Sequence, residues 1–459
     1  MMRKRLIARY GVDHGERLEV VTVYEDETIS ESLDPKNPEI PTIATVHPAA
    51  IWFERKLHDD FGIRIAGAFD RRPLVHQERF PQGVHPMRKS FTAQSIDFAD
   101  YRPYKYEVVG GDGVFEVAVG PIHAGIIEPG HFHFSQAGED MLHQEVRHFY
   151  KYRAVEKMVE GMTMAEAAPI VARISGNESV AYQIAWLSLR HQAAGREIDP
   201  VLWRHHALLL ELERFIRHLT DLGFIPNDAG FGAALAWCSQ RAEEGRRLMQ
   251  GLTGHRFGFD AVGFAKPALD AEGVRRWIDK KREEMAWFRD WIVDIPSLWD
   301  RLDTTGRLRH EKAVKYDCVG VVARASGVPL DGRMTPRYLE HGFQMQTQAQ
   351  GDVGARFKVR MDEVDNSLLM MEHLLSDESC QVEAPKPRAG RYMATVESSL
   401  GELFMSVDLN EKGRITRFFA RDPSFVNWQA LHLMMPGNII ADFPLINKSC
   451  DLSYAGNDL

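Results

Sequence analysis

The sequence predicts an α+β protein, with a small N-terminal α/β domain followed by a mainly helical domain that has a strand-rich segment near its C-terminus. Residues 6–12 and 18–24 are apolar segments on either side of a turn, which is typical of a strand hairpin. Residues 201–222 carry an apolar stripe at helical spacing. Residues 392–421 contain three strand-like segments separated by glycine and asparagine, so strands are predicted on both sides of the helices.

The N-terminal domain is expected over residues 1–105. After the hairpin, residues 42–46 are predicted as a further short strand. Pro48 favours a helix start and Gly62 a helix stop, since proline fits the first turn and glycine the position after the last. Apolar residues recur at three- and four-residue spacing between them, which predicts an amphipathic helix over 48–61.

The second domain is expected over residues 106–459. Long helices are predicted through 140–330 and near 360–375, and strands at 392–396, 403–407 and 415–421. Opposite its apolar stripe, the helix over 201–222 has a polar face formed by Arg204, Glu211, Arg214 and His218. That face is either a salt-bridged surface or an ion network buried inside a helical bundle.

Composition excludes several classes of protein. Of 459 residues, 44% are hydrophobic and 26% charged, as in compact globular proteins. The net charge of −9, without a long basic run, argues against a nucleic-acid partner. No stretch reaches about 18 uncharged apolar residues, so no transmembrane segment is expected. The four cysteines lack C-x-x-C spacing, so no ordinary cysteine-ligated metal centre is predicted.

Three segments contain motifs in a fixed order. The first holds His123 in a Gly-Pro-Ile-His turn, the second covers residues 173–182, and the third is 449–459. Together they resemble the large subunit of membrane-bound energy-converting nickel-iron hydrogenases, whose superfamily also contains the 49-kDa subunit of respiratory complex I. Residues 52–55, 60–63 and 85–91 resemble the 30-kDa complex I subunit. That small subunit is fused to the large one in some relatives, including formate hydrogenlyase types.

The resemblance implies where a metal would be held. In working hydrogenases four cysteine thiolates bind nickel and iron, and the motifs place those positions at Ser175, Glu178, Ser453 and Gly456. Nickel and low-spin iron need soft, easily deprotonated sulfur donors, which these four residues do not supply. We therefore expect no metal, no hydrogen activation, and a cavity that is empty or has acquired another use.

Glu178 is the chemically distinctive change at these positions. The resemblance implies that Ser175 and Glu178 lie one helical turn apart on one face, pointing into the former metal cavity. A carboxyl group in such a desolvated place has a raised pKa and can shuttle a proton, with His123 or Asp451 as partner. The alternative is that Ser175 and Glu178 form a satisfied polar pair that only fills the vacated space.

His123 supports a second interpretation. It matches the histidine that binds the quinone head group in complex I together with a tyrosine, but the position of that tyrosine is Gly176. Half of the quinone clamp is therefore missing. Quinone binding is therefore left open, and no other cofactor is expected in this chain.

The resemblance implies a peripheral-arm subunit at the cytoplasmic face of a membrane. It would belong to a hydrogenase-related or complex I-like oxidoreductase that couples electron transfer or conformational change to proton movement. The expected partners are an iron-sulfur small subunit, which would carry the cluster, and antiporter-like membrane subunits. One alternative is a quinone-binding subunit of the NAD(P)H-quinone oxidoreductase type, and the other is a redox-silent scaffold. These interpretations differ in whether the chain itself is an enzyme, so that question is left open.

Overall fold

The chain begins with two small sheets and one helix. The computed structural model describes residues 3–92, 96–125, 127–266, 269–384 and 386–459. The first elements are β1 (Leu6–Asp13), β2 (Leu18–Tyr24), β3 (Thr28–Leu33), β4 (Glu39–Pro41), α1 (Ala50–Phe61) and β5 (Arg64–Ala66). Strands β1, β2 and β3 form an antiparallel meander, and β4 pairs with β5 in parallel. The predicted hairpin is therefore confirmed.

Helix α1 confirms the prediction for this segment, apart from a start two residues later. It ends at Phe61 because Gly62 adopts a left-handed φ of 71° and its N–H caps the His58 carbonyl. The predicted strand over 42–46 is wrong. The Ile43 N–H donates to the Glu54 carboxylate at 2.8 Å, and the His47 N–H donates to the Ile43 carbonyl at 2.9 Å. These bonds close a turn and remove the donors that a strand would need.

A three-stranded sheet precedes the long helices, in a region where the sequence predicts mainly helices. Its strands are β6 (Val114–Val119), β7 (His131–Ala137) and β8 (Asp140–Arg147), in the order β6-β7-β8. In β7 the alternation His-Phe-His-Phe buries Phe132 and Phe134, while His133 is half-buried on the other face. This period of two is the signal that was missed.

Helices fill the middle of the chain around a long central helix, α5. Asp199 caps α5, because its carboxylate accepts the Val201 N–H at 2.8 Å. The bounds in this region are α2 (Val155–Met158), α3 (Met164–Val171), α4 (Ser179–Ala194), α5 (Pro200–Asp228), α6 (Gly232–Thr253), β9 (Ala265–Lys266), α7 (Ala271–Val293), α8 (Pro296–Leu302), α9 (His310–Lys315), α10 (Gly320–Ala325), α11 (Pro336–Glu340) and α12 (Val353–Leu374). Helices α6 and α12 pack along α5, so the predicted helical domain is confirmed.

The C-terminal part contains the predicted strands and then returns to the helices. Its elements are β10 (Cys380–Gln381), β11 (Gly390–Glu397), β12 (Glu402–Leu409), β13 (Ile415–Arg421), α13 (Pro423–Ala430), α14 (Phe443–Cys450) and α15 (Tyr454–Asp458), with short 3-10 turns at Leu431–Met434 and Ile440–Asp442. Strands β11, β12 and β13 form one antiparallel sheet, which confirms the predicted strand-rich segment and the α+β class.

The N-terminal strands pack against this C-terminal sheet. Tyr10 stacks on Phe419 with ring centroids 4.4 Å apart, and its hydroxyl donates to Ser406 Oγ at 2.8 Å. One cluster of buried apolar side chains spans both regions. The predicted domain boundary at 105/106 stays a prediction. Among the described residues, no helix is long and apolar enough to cross a membrane.

Candidate functional site

The loop before α4 and the end of the chain meet at the predicted site. The hydroxyl oxygens of Ser175 and Ser453 lie 3.5 Å apart although 278 residues separate them. Ser453 caps α15, and its Oγ accepts the Gly456 N–H at 2.9 Å. The fold therefore brings Ser175, Ser453 and Gly456 together.

Ser175 and Glu178 do not share a helical face, and this prediction is wrong. Helix α4 begins at Ser179, and Glu178 is the residue before it, with a φ of −133°. The Glu178 N–H donates to the Ser175 carbonyl at 3.3 Å across a turn that contains Gly176 and Asn177. Glycine and asparagine favour such turns, so residues 175–178 form a turn where the resemblance implied a helix.

Glu178 lies in a desolvated pocket. Its side chain is 1% exposed, Oε1 accepts the Ser398 hydroxyl at 2.5 Å, and Oε2 has no hydrogen-bond partner among the described residues. Burial, together with the nearby Asp422 carboxylate, raises the pKa of Glu178 well above its ordinary value. Burial therefore favours the protonated form of Glu178 over the carboxylate.

Asp422 is the second buried carboxyl of this pocket. Its Oδ2 accepts the Tyr182 hydroxyl at 2.7 Å, and its Oδ1 accepts the Ser424 N–H at 2.8 Å as the cap of α13. Burial raises the pKa of Asp422 as well. Two interacting carboxyls in one water-excluded space cannot both ionise at low cost, so a state of the Glu178 and Asp422 pair with at least one proton is favoured.

These residues do not fit a nickel-iron centre. A Cβ placed on Gly456 would lie 2.1 Å from Asp422 Oδ2 and 3.1 Å from Ser453 Oγ. The space that a fourth ligand side chain would enter is therefore filled by the Asp422 carboxylate. The side chains that remain offer only hard oxygen donors. Among the described residues, no group of three or more His, Cys, Asp and Glu side chains converges on a point that could hold a metal ion.

Asp451 and Glu178 both interact electrostatically with Arg217. Arg217 pairs with the Asp451 carboxylate, and Lys448 donates to the same carboxylate at 2.7 Å. Although burial opposes it, Arg217 and Lys448 lower the pKa of Asp451, whereas the pKa of Arg217 is raised in part by the charges of Asp451 and Glu178. Asp451 is therefore an ionised residue that compensates arginine charge, and its role as a direct proton partner of Glu178 stays a prediction.

His123 packs against Gly130 and Phe132. Its Nε2 is 2.7 Å from the Gly130 carbonyl oxygen, and its ring packs at 5.9 Å from Phe132. The neighbouring His148 is fully buried, and burial lowers the pKa of His148 to about 3. No hydrogen bond between described residues joins His123 to Glu178 or Asp451. The assignment of His123 to one site with them stays a prediction.

An ion network lies next to the pocket. It shows whether the polar face of α5 is a salt-bridged surface or a buried ion network. Arg214 donates to the Ser398 carbonyl at 2.7 Å, so the network reaches the residue that binds Glu178. Its titratable members are all buried: Glu211, Arg214, His218, Arg324, Asp331, Arg333, Glu363 and Glu397. Arg204, by contrast, pairs with Glu378 at the surface. The polar face of α5 is thus mostly an interior network.

Sequence reasoning missed Tyr182, Ser398, Asp422 and Arg217 as parts of the site. Tyr182 stands inside the segment 173–182 that carries the family resemblance, and this was the available signal for it. The pairing of Tyr182 with Asp422 joins residues 240 positions apart, and such a contact has no local pattern.

The pH dependence of stability tests the protonated state of Glu178. A carboxyl whose pKa is raised on folding favours the folded state below its unfolded pKa of about 4.3, and this contribution is lost as pH rises towards the folded pKa. We expect Glu178→Gln to reduce the fall of unfolding free energy that begins as pH rises above about 4.3, by up to 1.4 kcal/mol per pH unit. Urea unfolding of the full chain measures this, and an unchanged slope would contradict it. Glu272→Gln, exposed on α7, is the matched control.

The arrangement defines a class of protein. A helical domain whose last residues return to a cavity beside the loop before α4, with an N-terminal α/β unit packed on the same core, is the architecture expected of a hydrogenase or complex I large subunit joined to a 30-kDa-type unit.

Sequence comparison gives the family. The family described as "Respiratory-chain NADH dehydrogenase, 49 Kd subunit" matches residues 228–378 and 369–458, and the corresponding 30 Kd subunit family matches residues 2–96. The chain therefore belongs to the family of the 49 Kd subunit and carries a 30 Kd-type segment at its start.

Individual relatives agree with this assignment. Formate hydrogenlyase subunit 5 of Escherichia coli is 28% identical over 94% of this chain and 79% of the relative. The C/D protein of the NADH-quinone oxidoreductase of Phocaeicola vulgatus is 25% identical over 85% of this chain and 83% of the relative. A chain of the membrane-bound sulfane sulfur reductase, an archaeal respiratory membrane complex, shares the fold with a TM-score of 0.70 at 21% identity, covering 76% of this chain and 99% of that one. The homologues are thus subunits of membrane-bound hydrogenase and complex I-like respiratory complexes.

Proposed function

We propose that this chain is a peripheral subunit of a membrane-associated oxidoreductase of the hydrogenase and complex I type, in which the former metal cavity holds a proton instead of nickel and iron. The observation that carries the proposal is the buried Glu178 and Asp422 pair, with Asp422 in the space that a fourth ligand side chain would need. The partners would be an iron-sulfur small subunit and antiporter-like membrane subunits, at the cytoplasmic face of the membrane. The relatives support membership of a respiratory-type complex, since they are a formate hydrogenlyase subunit and an NADH-quinone oxidoreductase subunit.

The pocket supports proton movement by its hydrogen bonds. The free Oε2 of Glu178 gives a proton a place to arrive or leave, and the Ser398 hydroxyl and the Tyr182 hydroxyl supply further exchangeable protons. Arg217 stabilises the carboxylate that forms when Glu178 loses its proton. A change in charge at a neighbouring cluster would therefore change the protonation of Glu178.

The first test concerns composition. The complex is solubilised from membranes of the source organism through an affinity tag on this chain. Its subunits are then identified, and its nickel is measured by metal analysis. We expect an iron-sulfur small subunit and antiporter-like proteins to co-purify, with nickel far below stoichiometry. Stoichiometric nickel would overturn the proposal.

The second test concerns proton movement. The purified complex with Glu178→Gln is reconstituted in vesicles, and its proton translocation is compared with that of the wild type and of Glu272→Gln, an exposed substitution on α7. We expect Glu178→Gln to reduce translocation by at least tenfold, because the amide cannot release a proton. An unaffected rate would favour the redox-silent scaffold instead.

The quinone alternative depends on His123. Its ring is half-buried, and its Nε2 lies against the Gly130 carbonyl. Quinone-dependent electron transfer by the complex separates the two interpretations when wild type and His123→Ala are compared. A lower rate of quinone-dependent electron transfer in His123→Ala would support a quinone site. Equal rates in His123→Ala and the wild type would contradict a role of His123 in quinone binding.

Restoring the four cysteines tests whether Asp422 blocks the metal site. We expect the variant Ser175→Cys/Glu178→Cys/Ser453→Cys/Gly456→Cys to bind no stoichiometric nickel, because the new Cβ at residue 456 would lie 2.1 Å from Asp422 Oδ2. Nickel binding after anaerobic loading is measured by metal analysis, with the wild type as control. Full occupancy in the fourfold variant would show that Asp422 does not obstruct the site.

A further inference from the structure

A cavity of about 300 Å³ opens beside the former metal site and is lined by positive charge. Its walls come from α5, α6, α14 and the loops around Gly176 and Phe257. Four of its lining side chains are cationic: Arg217, Arg246, Arg256 and Lys448. One lining side chain is acidic, Glu213, and both of its oxygens accept N–H groups at the start of α4, from Val180 at 2.7 Å and Ala181 at 3.1 Å. Burial raises the pKa of Glu213 to about 8.

Three of the four cations have carboxylate partners, and Arg246 is the exception. Arg256 forms a bidentate pair with Glu243 at 2.8 and 2.6 Å, and Lys448 and Arg217 share Asp451. Within the described part of the chain, Arg246 donates only to the Thr220 hydroxyl, at 3.3 Å, and forms no ion pair. A half-buried guanidinium without a counter-ion is unusual, since buried charge is normally paired.

The charges around Arg246 add to the excess of positive charge at this side chain. Burial lowers the pKa of Arg246, and the positive charges of Arg256 and Arg217 act in the same direction, while Glu243 acts against them. Arg217 also lines the cavity, while its Nη2 pairs with Asp451. Two guanidinium groups therefore lie at one small cavity.

We infer that this cavity binds a small dianionic oxyanion, of the size of phosphate, sulfate or a short dicarboxylate, with Arg246 as its main anchor and Arg217 as a second donor. Guanidinium groups bind carboxylate and phosphate oxygens through paired N–H donors, which suits ligands of this class. A volume near 300 Å³ is at the small end of ligand pockets, and the apolar side chains of Ile216, Met249 and Phe257 limit its width. The inference goes beyond the proposed function and does not depend on proton transfer by Glu178.

Calorimetric titration of the full-length chain tests this site, with inorganic phosphate, sulfate and succinate as separate probes. We expect saturable binding of at least one probe to the wild type, weakened about tenfold or more in Arg246→Met. Arg246→Lys keeps the positive charge and should recover part of the affinity. The matched control is Arg276→Ala, an exposed arginine on α7, which should bind as the wild type does.

The outcomes separate the candidates. Equal affinity in wild type and Arg246→Met overturns the inference, as does the absence of saturable binding for all three probes up to about 10 mM. Loss of binding in Arg256→Ala but not in Arg246→Met would place the anion at the surface pair and overturn the assignment to Arg246. Thermal unfolding of Arg246→Met checks that the fold is intact. Glu178→Gln should retain anion binding, so failure of this inference is distinguishable from failure of the proposed function.

Discussion

Replacing Arg324 by methionine should destabilise the protein by about 3–5 kcal/mol, the largest effect of a single substitution that we expect. Its side chain is fully buried and donates to Glu363 Oε1 at 2.8 Å and to Glu397 Oε1 at 2.6 Å. Methionine fills most of the space but leaves these carboxylates without their main counter-ion. Against the effect of burial, Arg324 and His218 hold the pKa of Glu363 well below its ordinary value, so an ionised carboxylate would be stranded.

Urea unfolding of the full chain measures this cost, and a double-mutant cycle gives its origin. We expect the loss of unfolding free energy in Arg324→Met/Glu363→Leu to be smaller than the sum of the losses in the two single variants. The second substitution removes the carboxylate that Arg324→Met leaves without its counter-ion. Arg276→Ala removes a surface pair with Glu272, where both side chains are more than half exposed, and should change stability by less than about 0.5 kcal/mol. A cost for Arg324→Met as small as that of Arg276→Ala would contradict the assignment.

The network and the pocket are parts of one polar interior. Arg214 donates to the carbonyls of Glu397 and Ser398, both at 2.7 Å, and the Ser398 hydroxyl then donates to Glu178. The turn between β11 and β12 is therefore fixed by arginine on one side and presents its serine to the pocket on the other. Substitutions in the network should consequently alter the pKa of Glu178 through the position of Ser398.

The predictions that succeeded were those with a local pattern. Helix α1, the first hairpin and the three C-terminal strands follow from apolar spacing and from turn residues such as Gly62. The burial of Glu178 followed from its motif position. The error at Ser175 and Glu178 has a local cause, since Gly176 and Asn177 close a turn where the motif suggested a helix.

The features that the sequence could not predict depend on contacts between distant segments. Asp422 reaches the pocket because β13 ends beside α4, and nothing near residue 422 in the chain indicates that neighbour. The polar face of α5 illustrates the same point, because the helical spacing in the sequence places both Arg204 and His218 on that face. Only the packing of α12 against α5 places His218 inside the protein, where it meets Glu363 at 2.8 Å.

Asp451→Asn should cost about 2–3 kcal/mol at neutral pH, the second-largest effect that we expect. The amide keeps the shape and accepts the left-handed φ of 52° at this position, but it cannot neutralise Arg217 and Lys448. Because the pKa of Asp451 is lowered on folding, its stabilisation is present above the unfolded pKa of about 3.9 and is lost as pH falls below it. The difference between wild type and Asp451→Asn in urea unfolding should therefore be full at about pH 7 and shrink in acid, whereas the exposed substitution Asp260→Asn should have little effect throughout. A difference in unfolding free energy that stays constant into acid would mean that Asp451 stabilises the fold by its hydrogen bonds alone. It would contradict the assignment of Asp451 as the charge partner of Arg217.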